Sequence, residues 1–333
     1  MRKIALVSLC TAFLAFAAQS AHSAEITVKL GTLAPQGSPW HLLLKEAAQR
    51  WTEVSGGKVE LKIFPGGTMG DEGDMVKKMR VGSLQAAALS TIGLHQITPE
   101  PQALDLPLLV KNEDERQYLI QKMAPELDAA LEKKGFKVLT WSEIGTTHFF
   151  SNKSRPTLDE MKTAKLFCWD GDPASADAWK AGGFSPVVLS STDIVPSMQT
   201  GMVDTLVYTP TLVLALHVND KAKYMMDMDW STLTGATVVE KKTWDKIPAD
   251  LQPKLIAVFT ELGKKLTGQA QKMESDSLAK MKAQGLTVVP VKDMDKWNAV
   301  LNDVNKTVRG KVVPAETFDK VYKLIKDYRA GKR

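Results

Sequence analysis

The chain has 333 residues, 44% of them hydrophobic and 24% charged, with a formal net charge of +5. That is ordinary globular composition at a length that predicts about two domains. Lysines are spread along the chain among carboxylates, with no basic block interleaved with aromatics, which argues against nucleic acid as a partner.

The first residues read as a secretory signal. Arg2 and Lys3 precede an apolar run from Ile4 to Ala18 and the small-residue stretch Gln19 to Ala24. The run is too short for a membrane span, so 1–24 is predicted to be a signal peptide cut after Ser23 or Ala24. Cys10 leaves with it. Cys168 is then the lone cysteine, no internal disulfide forms, and stability must come from a packed core. No later stretch is apolar enough to cross a bilayer. The mature protein is expected to be exported to the periplasm, with no stable membrane insertion.

Ile26 to Leu30 alternates as a strand. Ser38 is an N-cap with Pro39 at the first helical position. Trp40, Leu43, Leu44, Ala47 and Trp51 then recur at helical spacing up to Gly56-Gly57. Val59, Leu61 and Ile63 form a second strand, Asp71 to Val81 a helix, and Ala86 to Leu89 a third strand. This βαβαβ opening implies a parallel sheet with helices on its faces. Glu113 to Lys134 is predicted helical, Lys137 to Trp141 a strand, and His148 to Ser151 another. Lys165 to Trp169 is a strand leading into Asp170-Gly171-Asp172-Pro173, and Ala174 to Gly182 a helix. Strand Pro186 to Leu189, a helix from Thr192 to Gly201 and strand Val203 to Val207 restart the pattern. Tyr208 to Pro210 reads as a loop, as does the stretch with Met225, Met226 and Met228. Gly235 to Val239 is predicted to cross back. Pro248 to Gln284 is one long helix.

The predicted fold is therefore α/β and two-lobed, with an interlobe cleft and a long helix spanning both lobes. Lobe I takes 25–145 plus 232–260, lobe II takes 146–231 plus 285–333, and 246–284 is the connecting helix. Loops at the carboxyl ends of the strands line the crevice in such sheets, and two facing edges can enclose a ligand by hinge closure.

The order of several pieces resembles one family. Gly31-Thr32-Leu33-Ala34-Pro35 through Pro39-Trp40-His41 is similar to the first strand–loop–helix of DctP-type TRAP solute receptors. So are Ile63 to Gly67 with Gly70-Asp71-Glu72, and Met79 to Gln85. Ser151 to Pro156 with Leu158 to Lys162, and Thr192 to Asp204, resemble later passages of the same family. The resemblance implies a receptor that captures a small organic solute and delivers it to membrane-embedded TRAP permease subunits, with no cofactor and no catalysis. It also implies a carboxylate-binding Arg in the strand Lys165 to Trp169, where this chain has Phe167; a second frequent Arg corresponds to His148. Both departures remove fixed positive charge, so aromatic contact and neutral hydrogen bonds are expected to hold the ligand.

The candidate ligand-binding residues are Trp169 and Phe167 on that strand, and Thr32 and Trp40 around the first loop. Ser90 and Thr91 follow the third strand, and Tyr208 and Thr209 follow Val203 to Val207. His148 and Asp172 complete the set. Each has a plain alternative. The aromatics could be core, Asp172 a turn or helix cap, and His148 structural. His41, His95 and His217 lack metal spacing, so no metal site is expected. Ser55-Gly56-Gly57-Lys58 matches Ser-x-x-Lys only formally. Two other functions stay open: a periplasmic enzyme on the same scaffold, and a sensor presenting the liganded lobes to a membrane kinase.

Overall fold

Two short periodicities build the first half. In β1 (Ile26–Thr32) Val28 and Leu30 are fully buried on either side of exposed Lys29, and β2 (Val59–Phe64) pairs parallel to it from Val59 to Phe64. The helix Pro39–Val54 between them is capped by Ser38, whose hydroxyl accepts from His41 N at 3.4 Å. Its stripe Leu44, Ala47, Trp51 lies on the sheet. The structure, a computed structural model, describes residues 25–332; the segment 1–24, expected from the sequence to be a signal peptide, lies outside the described residues.

The remaining strands are β3 (Ala86–Ser90), β4 (Phe136–Ser151), β5 (Lys165–Trp169), β6 (Ser185–Leu189), β7 (Thr205–Tyr208), β8 (Tyr224–Asp227), β9 (Ser231–Glu240) and β10 (Thr287–Pro290). Their spatial order is β2-β1-β3-β9-β4-β7-β5-β6, with β8 on β4 and β10 on β8. β1, β2 and β3 run parallel, as do β5, β6 and β7. β9 lies antiparallel between β3 and β4. The strand expected at Gly235–Val239 is the second half of β9, which begins earlier, at Ser231.

Some elements differ from expectation. The two strands read at 137–141 and 148–151 are one 16-residue strand, β4. Its register against β9 slips between Val138 and Thr140 and again between Glu143 and Gly145. Such bulges let a strand bend without ending, and they hide its alternation. The methionine stretch is a loop only in part: Met225 and Met226 are buried in β8, and Met228 follows the strand. Pro210 opens a short helix, Pro210–Ala215, where its missing N–H is harmless.

The helix Gln252–Ala283 has 32 residues, roughly 48 Å of axis. Its first half packs Leu255, Val258, Phe259 and Leu262 against Trp51 and Trp244, and the Trp51 indole donates to Leu255 O at 3.1 Å. Its far end buries Met281 with Val213 and Leu286. The last helix, Ala315–Arg329, sets Phe318, Val321 and Ile325 against Leu119, Met123 and Leu127 of the helix Glu113–Lys133. The chain end therefore packs on the helix Glu113–Lys133, in one cluster with Ala178, Val308 and Val312. Among the described residues no helix is long and apolar enough to cross a membrane.

Candidate functional site

Parallel strands put their carboxyl ends on one edge, and two such edges meet here. Thr32 and Ser90 end β1 and β3, while Trp169 and Tyr208 end β5 and β7. The helix Glu72–Arg80, in the first half, begins at Asp71. The Asp71 carboxylate accepts from its own Glu72 N at 2.7 Å. It also accepts across the cleft from Trp169 Nε1 at 2.5 Å, Ser190 Oγ at 2.8 Å and Ser191 N at 2.7 Å. Two amides repeat the pattern: Gln96 Nε2 donates to Gly171 O, and Gln102 Nε2 to Asp172 Oδ2 at 2.5 Å. The halves are therefore clasped by charged and neutral hydrogen bonds above a shared interior.

That interior is a cavity of about 690 Å³. Trp169, Phe167, Tyr208, Thr32, Trp40, Ser90, Thr91 and Asp172 all stand in its wall. Phe167 and Tyr208 meet edge to face, with centroids 6.2 Å apart. Asp172 also does what its plain alternative says, capping the helix Pro173–Ala181 through Ser175 N at 3.0 Å. Two expected residues stand elsewhere. Thr209 is fully buried as the N-cap of Pro210–Ala215, accepting from Leu212 N at 3.2 Å. His148 Nδ1 is 3.0 Å from Met228 O, a structural contact in which burial pulls its pKa down against the nearby Asp229. Neither lines the cavity.

The wall also holds groups that sequence reasoning missed. Trp179, Trp230 and Trp297 line it, and Trp179 stacks on Trp230 at 5.5 Å. So do Gln102, Glu72 and Asp105. Glu72 accepts from Ser90 N at 2.7 Å and Ser90 Oγ at 2.6 Å, yet burial lifts its pKa to about 7. Asp105 is engaged by Thr91, by Thr232 Oγ1 and by Thr234 N, and burial lifts it to about 6. Burial likewise pushes the Tyr208 hydroxyl up, with Glu72 and Asp71 adding to it. Among the described residues lining the cavity there is no Lys, Arg or His. Among the described residues no His, Cys, Asp and Glu cluster is arranged to hold a metal ion.

Glu72 makes a pH-dependent contribution with a definite sign. Its folded value, about 7, lies above the ordinary 4.5. Between these the folded chain keeps a proton that the unfolded chain releases, so this term favours folding at low pH. It is lost as pH rises to about 7, on the order of 3 kcal/mol in full. Glu72→Gln mimics the protonated acid and keeps both bonding partners. Urea unfolding is expected to find the variant more stable than wild type at pH 8 and nearly equal at pH 5. A gap that is the same at both values would reject the assignment.

Residues 30–310 match the family described as bacterial extracellular solute-binding protein, family 7 (DctP). The C4-dicarboxylate-binding periplasmic protein DctP of Rhodobacter capsulatus is 23% identical over 279 residues, covering 82% of each chain. A TRAP periplasmic solute-binding protein of Citrobacter koseri, solved with bound D-glucuronate, superposes with a TM-score of 0.81 at 23% identity, covering 90% of this chain and 99% of that one. One from Desulfovibrio salexigens, solved with orotic acid, gives 0.83 at 21% identity, covering 92% and 99%.

Proposed function

The chain belongs to family 7 of the bacterial extracellular solute-binding proteins, DctP, and on that premise we propose how its cleft serves transport. It is a receptor for small organic solutes and not an enzyme. A solute enters between the open halves, contacts both walls, and is enclosed when Asp71 meets Trp169, Ser190 and Ser191. The closed form is then delivered to membrane-embedded TRAP permease subunits. Periplasmic relatives support that setting, and the charged start and short apolar run of 1–24 support export by a cleaved signal. The moving bodies are lobe I, 25–145 with 232–260 and the packed last helix, and lobe II, from 146–231 with 285–311.

The observation that carries this reading is the clasp. Three donors from one half converge on one carboxylate of the other, directly beside an interior space. Charge-assisted bonds of that kind stabilise one relative position of two bodies. Small-angle scattering tests it. The solute-free protein is expected to be more extended, and saturation with a solute found by thermal-shift screening should compact it. An unchanged profile at saturation would reject hinge capture.

A further inference from the structure

We propose that the solute taken by this cavity is an uncharged, largely apolar molecule carrying an oxygen acceptor, and not a carboxylate. The proposal rests on the receptor reading above.

The charges in the wall point this way. Glu72, Asp105 and Asp172 line the cavity, and no cationic side chain among the described residues accompanies them. A carboxylate enclosed there would lose its water beside like charges, with no partner to offset the loss. Helix N-termini are the usual substitute for a cation. The helices Glu72–Arg80 and Pro173–Ala181 do start at the cleft. Both starts are already covered by carboxylates of this chain, through Asp71 to Glu72 N and Asp172 to Ser175 N. The longer helix Pro39–Val54 is closed by Ser38 on His41 N, and His41 Nδ1 in turn accepts from Gly37 N at 2.9 Å. The places where an anion would sit are filled by anions or by capping groups.

An organic cation fits no better. Each wall carboxylate already has protein donors: two from Ser90 on Glu72, three threonines on Asp105, and Ser175 with Gln102 on Asp172.

What the wall offers is aromatic surface and unpaired neutral groups, N–H donors on two indoles and the amide oxygens of Gln102 and Asn305. Phe167, Trp169, Trp179 and Trp230 present rings. Trp40 and Trp297 line the cavity too, and the Nε1 of each is buried without an acceptor. A buried donor left unpaired is costly, and a ligand carbonyl, hydroxyl or ether oxygen would satisfy it. Trp40, beside the cleft loop Thr32–Gln36, is the one we assign to the solute.

A matched pair of probes tests the assignment on the mature chain at pH 7.5. 2-Acetonaphthone and 2-naphthoate share one ring system and differ by a methyl group against a charged oxygen. Fluorescence titration is expected to give saturable binding of the ketone at least about tenfold tighter than of 2-naphthoate or D-glucuronate. Trp40→Phe should remove the advantage of the ketone over 2-ethylnaphthalene, which lacks the oxygen. Phe167→Arg, which places a guanidinium in the wall, should reverse the order of ketone and acid. Equal or tighter binding of either acid by the wild type, or no saturable binding of the ketone, overturns the proposal. Compaction in scattering with D-glucuronate would overturn it while leaving the receptor reading intact. Saturable ketone binding without compaction would support it and count against hinge capture instead.

Discussion

Asp71→Ala is expected to hold the cleft open and to weaken solute binding about 100-fold or more. The carboxylate accepts four hydrogen bonds, and three of them come from the opposite half. A hydrogen bond to a charged group contributes about 1.5–3 kcal/mol, more than a neutral one. Water that enters on opening replaces part of this, so about 3 kcal/mol for the three together is a discounted figure. Apparent affinity falls with the fraction of molecules in the competent form, so about 3 kcal/mol against closure is about 100-fold in Kd. Loss of the cap on Glu72 N adds about 1 kcal/mol of local destabilisation. Calorimetric titration with the best solute of the thermal-shift screen reads the affinity, and scattering reads the shape. A variant that binds and compacts like wild type would mean that the clasp is incidental. Trp169→Phe removes one of the three bonds while keeping the ring, and should lie between wild type and Asp71→Ala.

Gly235→Val is expected to cost about 3 kcal/mol or more of folding stability. A Cβ at Gly235 would stand 2.5 Å from Leu89 O and 3.1 Å from Ile144 Cδ1. The first is a backbone atom, and no rotamer change moves it away. Gly235 also pairs with Ser90 on one side and Ser142 on the other, so β9 cannot shift there without disturbing both neighbours. Gly268 gives the contrast. It lies inside the helix Gln252–Ala283, and nothing stands within 4 Å of where its Cβ would be. Gly268→Ala should stabilise the chain by about 0.5–1 kcal/mol through helix propensity alone. Denaturant unfolding without solute measures both. Two substitutions of the same sign would show that the backbone contact at Gly235 relaxes freely.

Local rules made part of this legible. Alternation at Val28 and Leu30, the Ser38 cap with Pro39, and the helical stripe through Trp51 each depend on residues a few positions apart. The wall positions of Thr32, Ser90, Trp169 and Tyr208 follow from strand ends, which the same patterns mark. What escaped depends on distance along the chain. Asp71 looks like an ordinary helix cap until Trp169, 98 positions on, donates to it. Glu72 looks like a first-turn acid that favours the helix start. Only the fold buries it under Ser90 and next to Gly93, where any side chain would collide with its carboxyl group. β4 hid behind two bulges and the polar stretch Ser142-Glu143. Thr209 sits one residue past Tyr208, and that step turns its side chain from the cavity to a cap.

The shared strand carries one more consequence. β4 gives residues 136–147 to β9 and then 148–151 to β7 and β8. Neither half owns it, and removing either would leave the other with a bare sheet edge. The joint between the halves is therefore not a tether that could be lengthened or exchanged like a linker. It is hydrogen-bonded to its neighbours on either side of the crossing, so the hinge motion proposed above would be taken up as twist of continuous β-structure, as torsion is taken up in a torsion bar.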